Sequence, residues 1–398
     1  MTNSAAAKTS KSKFWFGGLD GLRAFGALLI VVHHAGFSSG LTFRNDFFGQ
    51  FFSRMDIGVS IFFVLSGFLL FRPFVLNQFE ETSSDKIGHF WIRRICRIYP
   101  AYWLALLVLL GFGAIELIGA GQVTMALSLT QIYDPTWGLF GISQAWSLAT
   151  ELSFYLLLPL FALLARRLTR NKSVDNQARF LILLCFGLSF FSYVFRFVLT
   201  KIAPDSGSWW ASGADLWMPS YLDTFSIGMV LAVISAWETK QPKVRRATEF
   251  FVRQPFLWWV IGAALFWLVS TQLNLPRGFG SEPWFLNLKT HMARQTLYWI
   301  IGACLLIPLV FKSSASNKIL DFFSSRPMAY LGSISYGIYL WHQGFLTWAH
   351  SWLDWPELTG NFFSLLLISI CGSVLVAGLS YRFLEEPLNT KLRHQLQH

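Results

Sequence analysis

Several ionisable side chains lie inside strongly apolar stretches of this 398-residue chain, where a lipid environment makes each of them costly. Arg23 and His34 are eleven residues apart in one such stretch. That spacing is close to three helical turns, so the two side chains share a helix face and lie about 16 Å apart along its axis. The pair predicts either a functional site or simple helix pairing, in which Arg23 reaches the lipid phosphates.

A histidine in this position suits acyl transfer to a hydroxyl group. A neutral imidazole takes the hydroxyl proton near pH 7 and returns a proton to the departing thiol. Such a base needs an orienting partner, and Glu151, at the start of a later apolar stretch, is predicted to lie at the same depth as His34. Its carboxylate would hold the imidazole tautomer and stabilise the imidazolium. The alternative is that Glu151 is a helix N-terminal acid favoured by the helix dipole.

Three arginines, Arg93, Arg94 and Arg97, directly precede the third apolar stretch. Arg94 and Arg97 are three residues apart and share a helix face, so together they can bind phosphate groups. Acyl-coenzyme A is the cytoplasmic acyl donor that is rich in phosphate. Such a cluster is also typical of an anchor on the cytoplasmic side of a membrane, and both interpretations stay open.

A second imidazole, His342, lies inside a late apolar stretch with Tyr336 and Tyr339. The three residues occur at three-residue steps and roughly share a helix face. This pattern is typical of a lined tunnel and equally of a hydrogen-bonded bundle core. In an early stretch, Ser60 and Ser66 lie among large apolar residues, where small residues mostly allow close helix packing but can also line a cavity.

The elements that must position these side chains are membrane-spanning helices. Hydrophobic residues make up 54% of the chain and charged residues only 13%, which leaves too few charges for the surface of a soluble protein of this size. Apolar runs of roughly 15 to 25 residues can span a hydrocarbon core, and about ten occur here. They cover residues 22–37, 55–71, 99–118, 146–165, 179–199, 219–237, 255–273, 295–311, 329–349 and 361–383. We therefore predict an all-α integral membrane protein.

The positions of Lys and Arg predict the orientation of these helices. Connections between apolar stretches are alternately rich and poor in cations, and one rich connection contains Arg166, Arg167, Arg170 and Lys172. Because cations are retained on the cytoplasmic side, the pattern predicts a multi-pass protein of the inner (plasma) membrane with both termini in the cytoplasm. Residues 1–17 are predicted to be a disordered cytoplasmic tail, 18–388 the transmembrane domain and 389–398 a second cytoplasmic tail.

Several other classes of function find no support in the sequence. The net charge of +11 does not indicate nucleic-acid binding, because the cations fall in short loops and not on one continuous face. The four cysteines are far apart and lack Cys/His spacing, so neither a metal nor a tightly bound cofactor is predicted. Walker A and GxGxxG spacings do not occur, which argues against nucleotide hydrolysis and dinucleotide redox chemistry.

Five motifs in order resemble those of the acyltransferase family 3 membrane enzymes, over about residues 18–388. They are Leu19–Ala24 followed by His34, the stretch Gly58–Phe68, the Arg-Arg-x-x-Arg-x-Tyr-Pro run ending at Pro100, the Trp-Ser-Leu-x-x-Glu run ending at Glu151, and the Ser-Tyr-x-Ile-Tyr-Leu-Trp-His run ending at His342. One such motif would be weak evidence, but five in register are a specific signal.

The resemblance implies a ten-helix membrane domain that takes acyl groups from cytoplasmic acyl-coenzyme A and passes them to a hydroxyl. His34 matches the catalytic histidine of the family and Glu151 its supporting acid. The donor-binding positions correspond to Arg23, Arg93, Arg94 and Arg97. Ser60, Tyr336 and His342 are interpreted as supporting residues. Many members carry Asp where this chain has Ser60, so any positioning role of that carboxylate is lost or reassigned here.

The leading hypothesis is an O-acyltransferase, and specifically an O-acetyltransferase, that acts on a hydroxyl of a saccharide, glycolipid or similar acceptor. Some members of the family append an extracytoplasmic hydrolase-like domain, and this chain is expected to lack one. A lipid-directed acyltransferase is a near alternative. A proton-coupled transporter that uses His34 and Glu151 is the alternative from another class, although the sequence has no inverted repeat to favour it.

Overall fold

The computed structural model describes residues 18–44, 46–82, 87–134, 139–202, 213–273, 275, 288–311 and 318–396, and every regular element within them is helical. The long helices are α1 (Leu19–Ser38), α3 (Ile57–Phe79), α4 (Ile87–Gly111), α6 (Trp146–Thr169), α7 (Val174–Ile202), α8 (Leu222–Trp237), α10 (Pro255–Thr271), α11 (Leu288–Val310), α14 (Ser335–Leu353) and α15 (Phe362–Ser380). The shorter ones are α2 (Phe47–Ser53), α5 (Gly119–Ser128), α9 (Pro242–Phe251), α12 (Lys318–Phe323), α13 (Arg326–Ser333) and α16 (Glu386–Leu396). All ten predicted apolar stretches lie wholly or largely on helices.

The number of helices suited to a membrane is close to the predicted ten. Within the described ranges, eight helical segments are long and apolar enough to cross a bilayer, and the count is nine if α9 and α10, bent by 59°, form one span. The predicted span at 329–349 covers α13 and α14, which fall outside this set. Helix α13 has only 8 residues, and polar residues such as Tyr336 and His342 lower the hydropathy of α14. The orientation of both termini stays a prediction.

The two predicted tails differ in how much of each the structure describes. The predicted tail at residues 1–17 lies outside the described residues, whereas 389–396 of the second predicted tail continue helix α16. The predicted third span also begins too late, because α4 starts at Ile87 and not near residue 99. Arg93, Arg94 and Arg97 therefore project from the first turns of a long helix and not from a loop.

Helix α1 occupies the centre of the site, because it packs against α3, α13, α14 and α15. The arginines at the start of α1 and α4 lie at the same end of the bundle, which we call the arginine end. His34 lies three turns further along α1, and His342 lies on the neighbouring α14. The packing of α1 on α14 thus brings together two residues that are 308 positions apart.

One of the closest helix crossings among the described residues joins α3 and α8. A Cβ atom added to Gly67 of α3 would overlap the carbonyl oxygen of Phe225, and one added to Gly228 of α8 would overlap the carbonyl oxygen of Val64. Small residues at such crossings let two backbones approach closely and pack by van der Waals contact in lipid. The stretch from Gly58 to Phe68 therefore serves packing at Gly67.

Replacing Gly67 by Ala is expected to lower the free energy of unfolding by about 1–3 kcal/mol, because an added methyl group must push apart two packed backbones. The melting temperature of the protein in detergent would measure the loss. Gly187 on α7 is a matched control, since a Cβ there meets no atom within 4 Å. A Gly67→Ala protein that melts together with Gly187→Ala would show that the crossing tolerates a side chain.

Candidate active site

Two histidines from different helices form a hydrogen-bonded pair. Nδ1 of His34 on α1 lies 2.9 Å from Nε2 of His342 on α14, and the two ring centroids are 5.0 Å apart. His342 is fully buried, whereas His34 is half-buried. The residue predicted to be the base is therefore held by a second imidazole.

The hydrogen bonds of this pair define its tautomers. Nδ1 of His342 lies 2.8 Å from the carbonyl oxygen of Tyr339 and 3.3 Å from that of Ile338. A carbonyl only accepts hydrogen bonds, so Nδ1 of His342 carries the proton and Nε2 of the neutral ring accepts. Nδ1 of His34 must then donate to it. This leaves Nε2 of His34 deprotonated, and no described residue hydrogen-bonds it.

A cavity of about 110 Å³ opens at the arginine end, between α1, α3, α4, α6 and α14. Arg97 lies at its wall and is exposed, so the cavity communicates with the surface there. The polar side chains that line it are Arg23, Ser66, Arg94, Arg97, Ser147, Glu151, Tyr155, Ser335, Tyr336 and Tyr339.

Arginine side chains supply the positive charge of this cavity. Arg23 is 2.6 Å from the carboxylate of Asp20, which orients its guanidinium. Nε of Arg94 is buried and has no hydrogen-bond partner among the described residues. A buried donor without a partner carries a desolvation cost, which an anionic ligand would relieve. Arg93, although on the same helix, is not among the residues that line the cavity.

Glu151 lies in this cavity and not beside His34. Its carboxylate accepts hydrogen bonds from Ser66 and Tyr155, and the cations nearest to it are Arg94 and Arg97. None of the described interactions of His34 involves Glu151. The predicted contact between this acid and the imidazole is therefore wrong, because the start of α6 approaches α3 and α4 and His342 takes the place beside His34.

One aromatic layer separates the cavity from the histidine pair. The hydroxyl of Tyr339 is 2.7 Å from Oγ of Ser147 and donates to the carbonyl oxygen of Gln144 at 2.7 Å. Its ring lies 6.1 Å from that of Phe62 and 5.9 Å from that of His342. Tyr339 thus touches the cavity on one side and the histidine pair on the other, and neither histidine lines the cavity itself.

The remaining predicted residues occupy different positions. Tyr336 lines the cavity and donates to the carbonyl oxygen of Ile98 at 2.8 Å. Ser60 is buried and is not among the lining residues, so its place is in the packed interior of α3. Tyr155 had not been predicted, although it follows Glu151 by four residues and so shares its helix face. Its hydroxyl is one of the two groups that hold the Glu151 carboxylate.

In the described part of the chain, no three His, Cys, Asp or Glu residues lie close enough together to hold a metal ion. The polar groups instead form two separate sets, the arginine cavity and the histidine pair. A cationic cavity can hold an anionic ligand, and an imidazole with a free nitrogen can accept a proton.

Comparison with known proteins relates this site to acetyl transfer. The chain is 26% identical over 395 residues to the peptidoglycan O-acetyltransferase OatA of Listeria monocytogenes serovar 1/2a. The aligned region covers 96% of this chain and 57% of that protein. The chain is 26% identical over 393 residues to the O-acetyltransferase OatA of Staphylococcus aureus strain NCTC 8325, with coverage of 94% and 57%. A putative O-acetyltransferase of Staphylococcus aureus strain COL is 25% identical over 390 residues, with coverage of 93% and 56%.

The chain thus spans little more than half the length of the relatives that it matches. No solved structure matches it. A family model described as an acyltransferase domain matches residues 16–382, which include both histidines and all the arginines of the cavity. On this match, together with the bundle of apolar helices, the chain belongs to the acyltransferase family 3 membrane enzymes.

Proposed function

We propose that the protein is a membrane O-acetyltransferase that moves an acetyl group from acyl-coenzyme A to a hydroxyl of a saccharide acceptor, with His34 as the general base. The observation that carries this proposal is that a cavity with three arginines ends one aromatic ring away from the His34–His342 pair. The relatives named as O-acetyltransferases, one of them for peptidoglycan, support the same chemistry and a glycan acceptor.

The donor would bind with its phosphates at the open mouth of the cavity. Arg97 is exposed there and Arg94 lies deeper, one helical turn away on α4, so the two guanidinium groups can bind neighbouring phosphate oxygens. A cytoplasmic donor requires that the arginine end faces the cytoplasm. This is the orientation that the distribution of Lys and Arg favours, and the membrane in this proposal is the plasma membrane.

The chemical step would use the free Nε2 of His34. This nitrogen takes the proton of the acceptor hydroxyl as the hydroxyl oxygen attacks the carbonyl carbon of the thioester. The carbon–sulfur bond then breaks, and the imidazolium returns the proton to the sulfur of coenzyme A, which leaves as a thiol. His342 would hold the reactive tautomer throughout, because its Nε2 accepts the Nδ1 proton of His34.

The wall of the cavity favours a short acyl group. Leu65, Leu69 and Leu70 line it, and Leu65 and Leu70 are buried, so a sixteen-carbon chain has to push packed side chains aside. We expect acetyl-coenzyme A to be used at least ~100-fold better in kcat/KM than palmitoyl-coenzyme A, since a long chain must displace packed side chains such as Leu69 and Leu70. Comparing the two donors with one saccharide acceptor measures this ratio, and equal use of both would exclude the proposed acetyl specificity.

A reconstituted assay tests the proposed function directly. Purified protein in liposomes would receive radiolabelled acetyl-coenzyme A and a soluble glycan fragment, and ester formation would be followed by mass spectrometry. The expected product is acetylated glycan, whose radiolabel mild base releases as acetate. The competing transporter hypothesis predicts proton flux in the same liposomes without any acyl donor. Flux without ester formation would contradict the proposed function and favour the transporter.

A further inference from the structure

The first turns of α11 carry a polar face in a helix that is otherwise apolar. His291, Arg294, Gln295 and Tyr298 follow the spacing of a single helix face. They lie at the end of the bundle opposite to the arginine end, because it is the last turn of α11 that reaches the arginine end, where Leu309 lies beside Gly18. Neither the arginine cavity nor the histidine pair accounts for these residues.

Acidic side chains face this surface of α11. The hydroxyl of Tyr298 donates to Oδ1 of Asp56 at 2.5 Å. Nη1 of Arg294 is 4.0 Å from Oδ2 of the same carboxylate, which is too long for a hydrogen bond. On the other side, Nε2 of His291 is 3.4 Å from Oδ1 of Asp215. Burial by itself raises the pKa of Asp215, but the neighbouring His291 outweighs this and leaves the pKa below its ordinary value, so Asp215 is ionised.

A neighbouring ion pair shows what a purely structural arrangement looks like in this bundle. Arg196 and Asp223 are 2.7 Å apart and each only 1% exposed, and the guanidinium also donates to Ser192 and Ser220. By contrast, Asp56 is 33% and Arg294 26% exposed. The Asp56–Arg294 pair is thus open and loosely held where the Arg196–Asp223 pair is closed.

This open pair lies near His33, the residue that precedes His34 on α1, because Asp56 is one of the charged groups that act on the His33 ring. The ring of His33 is 5.0 Å from that of His34, and Nδ1 of His33 donates to the carbonyl oxygen of Phe52 at 3.0 Å. Phe52 lies on the short segment that leads to Asp56. A molecule held beside Asp56 would therefore lie near the part of α1 that carries His33 and His34.

We propose that the recess formed by Asp56, Arg294 and Asp215 binds a saccharide, and that this saccharide is the acceptor of the proposed acetyl transfer, on which the inference rests. An aspartate only accepts hydrogen bonds and an arginine only donates them, whereas a sugar hydroxyl does both. Adjacent hydroxyls of a sugar therefore match an adjacent carboxylate and guanidinium that do not fully satisfy each other.

Aromatic rings beside the recess fit the same type of ligand. The ring of Tyr221 lies 5.5 Å from that of Trp146 and 5.2 Å from that of Phe63, and Asp215 and Arg294 lie close to its hydroxyl. Tyr221 and Trp146 are half-buried and can cover the apolar CH face of a sugar while the charged groups bind its hydroxyls, whereas Phe63 is buried beneath Tyr221. A lipid alcohol with a single hydroxyl would use only one of these polar groups and would leave the others unsatisfied.

A binding measurement without acyl donor tests the recess. The disaccharide of N-acetylglucosamine and N-acetylmuramic acid would be titrated calorimetrically into the protein in nanodiscs. We expect Asp56→Asn and Arg294→Gln each to raise the Kd at least ~10-fold, the usual effect of losing a hydrogen bond to a charged group. Asp46→Asn is the matched control, because Asp46 also forms an ion pair in the same connection, 2.7 Å from Arg44. Asn retains its helix-capping role, so the Kd should not change.

Three measurements distinguish an effect on saccharide binding from effects on folding and on catalysis. Melting temperatures identify a variant that fails to fold, and Arg294→Lys, which keeps the charge, should bind with an intermediate Kd. Variants that fold should keep the KM for acetyl-coenzyme A. A disaccharide Kd unaffected by both Asp56→Asn and Arg294→Gln, or binding of a diacylglycerol in place of the disaccharide, would overturn the inference while the proposed function stands. Disaccharide binding that depends on Asp56 and Arg294, in a protein unable to form an ester, would support the recess and contradict the function.

Discussion

Replacing His34 by Ala is expected to lower kcat for acetyl transfer by at least ~100-fold, the usual contribution of a positioned general base. The variant loses the only nitrogen of the pair that the hydrogen bonds leave free to accept a proton. Initial rates of ester formation in liposomes, at saturating acetyl-coenzyme A and glycan, would measure the loss. Because His34 is half-buried and, among the described residues, hydrogen-bonds a single side chain, the variant should keep most of its melting temperature.

The second histidine makes this prediction sharper. We expect His342→Gln to lower kcat by about 10-fold or more, since His34 would then no longer be held in one tautomer. If the two rings act as a unit, the double variant should be barely slower than His34→Ala alone. His350→Gln is the control, because His350 lies two turns further along α14 and bonds Ser38 at 2.7 Å. Full turnover by His34→Ala would contradict the role of His34 as the general base. Additive losses in the double variant would show that the two histidines act independently.

Residues close together in sequence were predicted well, for a physical reason. The spacing of Arg23 and His34 follows from helix geometry alone, and the structure places both on α1. Arg94 and Arg97 likewise share a face of α4 and line one cavity. The lengths of the apolar runs predict the helices, because the thickness of the hydrocarbon core sets the length of each span.

Contacts between distant helices could not be predicted in this way. His34 and His342 are 308 residues apart, and no periodicity along one helix indicates which helix lies beside another. Depth alone led to the pairing of Glu151 with His34, because two residues at one depth can still face different neighbours. Glu151 faces Ser66, and this contact depends on how α6 packs against α3. The neighbouring Tyr155 was within reach of the sequence, since it follows Glu151 by one helical turn.

Replacing Arg94 by Gln is expected to raise the KM for acetyl-coenzyme A about 10- to 100-fold, while the KM for the glycan stays the same. Hydrogen bonds to charged groups contribute about 1.5–3 kcal/mol, and Arg94 has a buried Nε that is without a partner among the described residues. Rates measured over a range of donor concentrations at fixed glycan would give this value. Rising salt should weaken donor binding to the unaltered protein more than to the variant. Salt screens the attraction between arginines and phosphates, and the variant has one arginine fewer.

The matched control for Arg94 decides between donor binding and membrane anchoring. Arg170 is an exposed arginine in a connection at the same end of the bundle, so Arg170→Gln removes the same charge from the same membrane face. If these arginines serve only as cytoplasmic anchors, both variants should lose folded protein in the membrane to a similar extent and neither should change the KM. If Arg94 binds the donor phosphates, its KM effect should appear in fully inserted protein and be missing in Arg170→Gln. Equal KM values in the two variants would show that Arg94 does not bind the donor. The cavity arginines would then act only as membrane anchors.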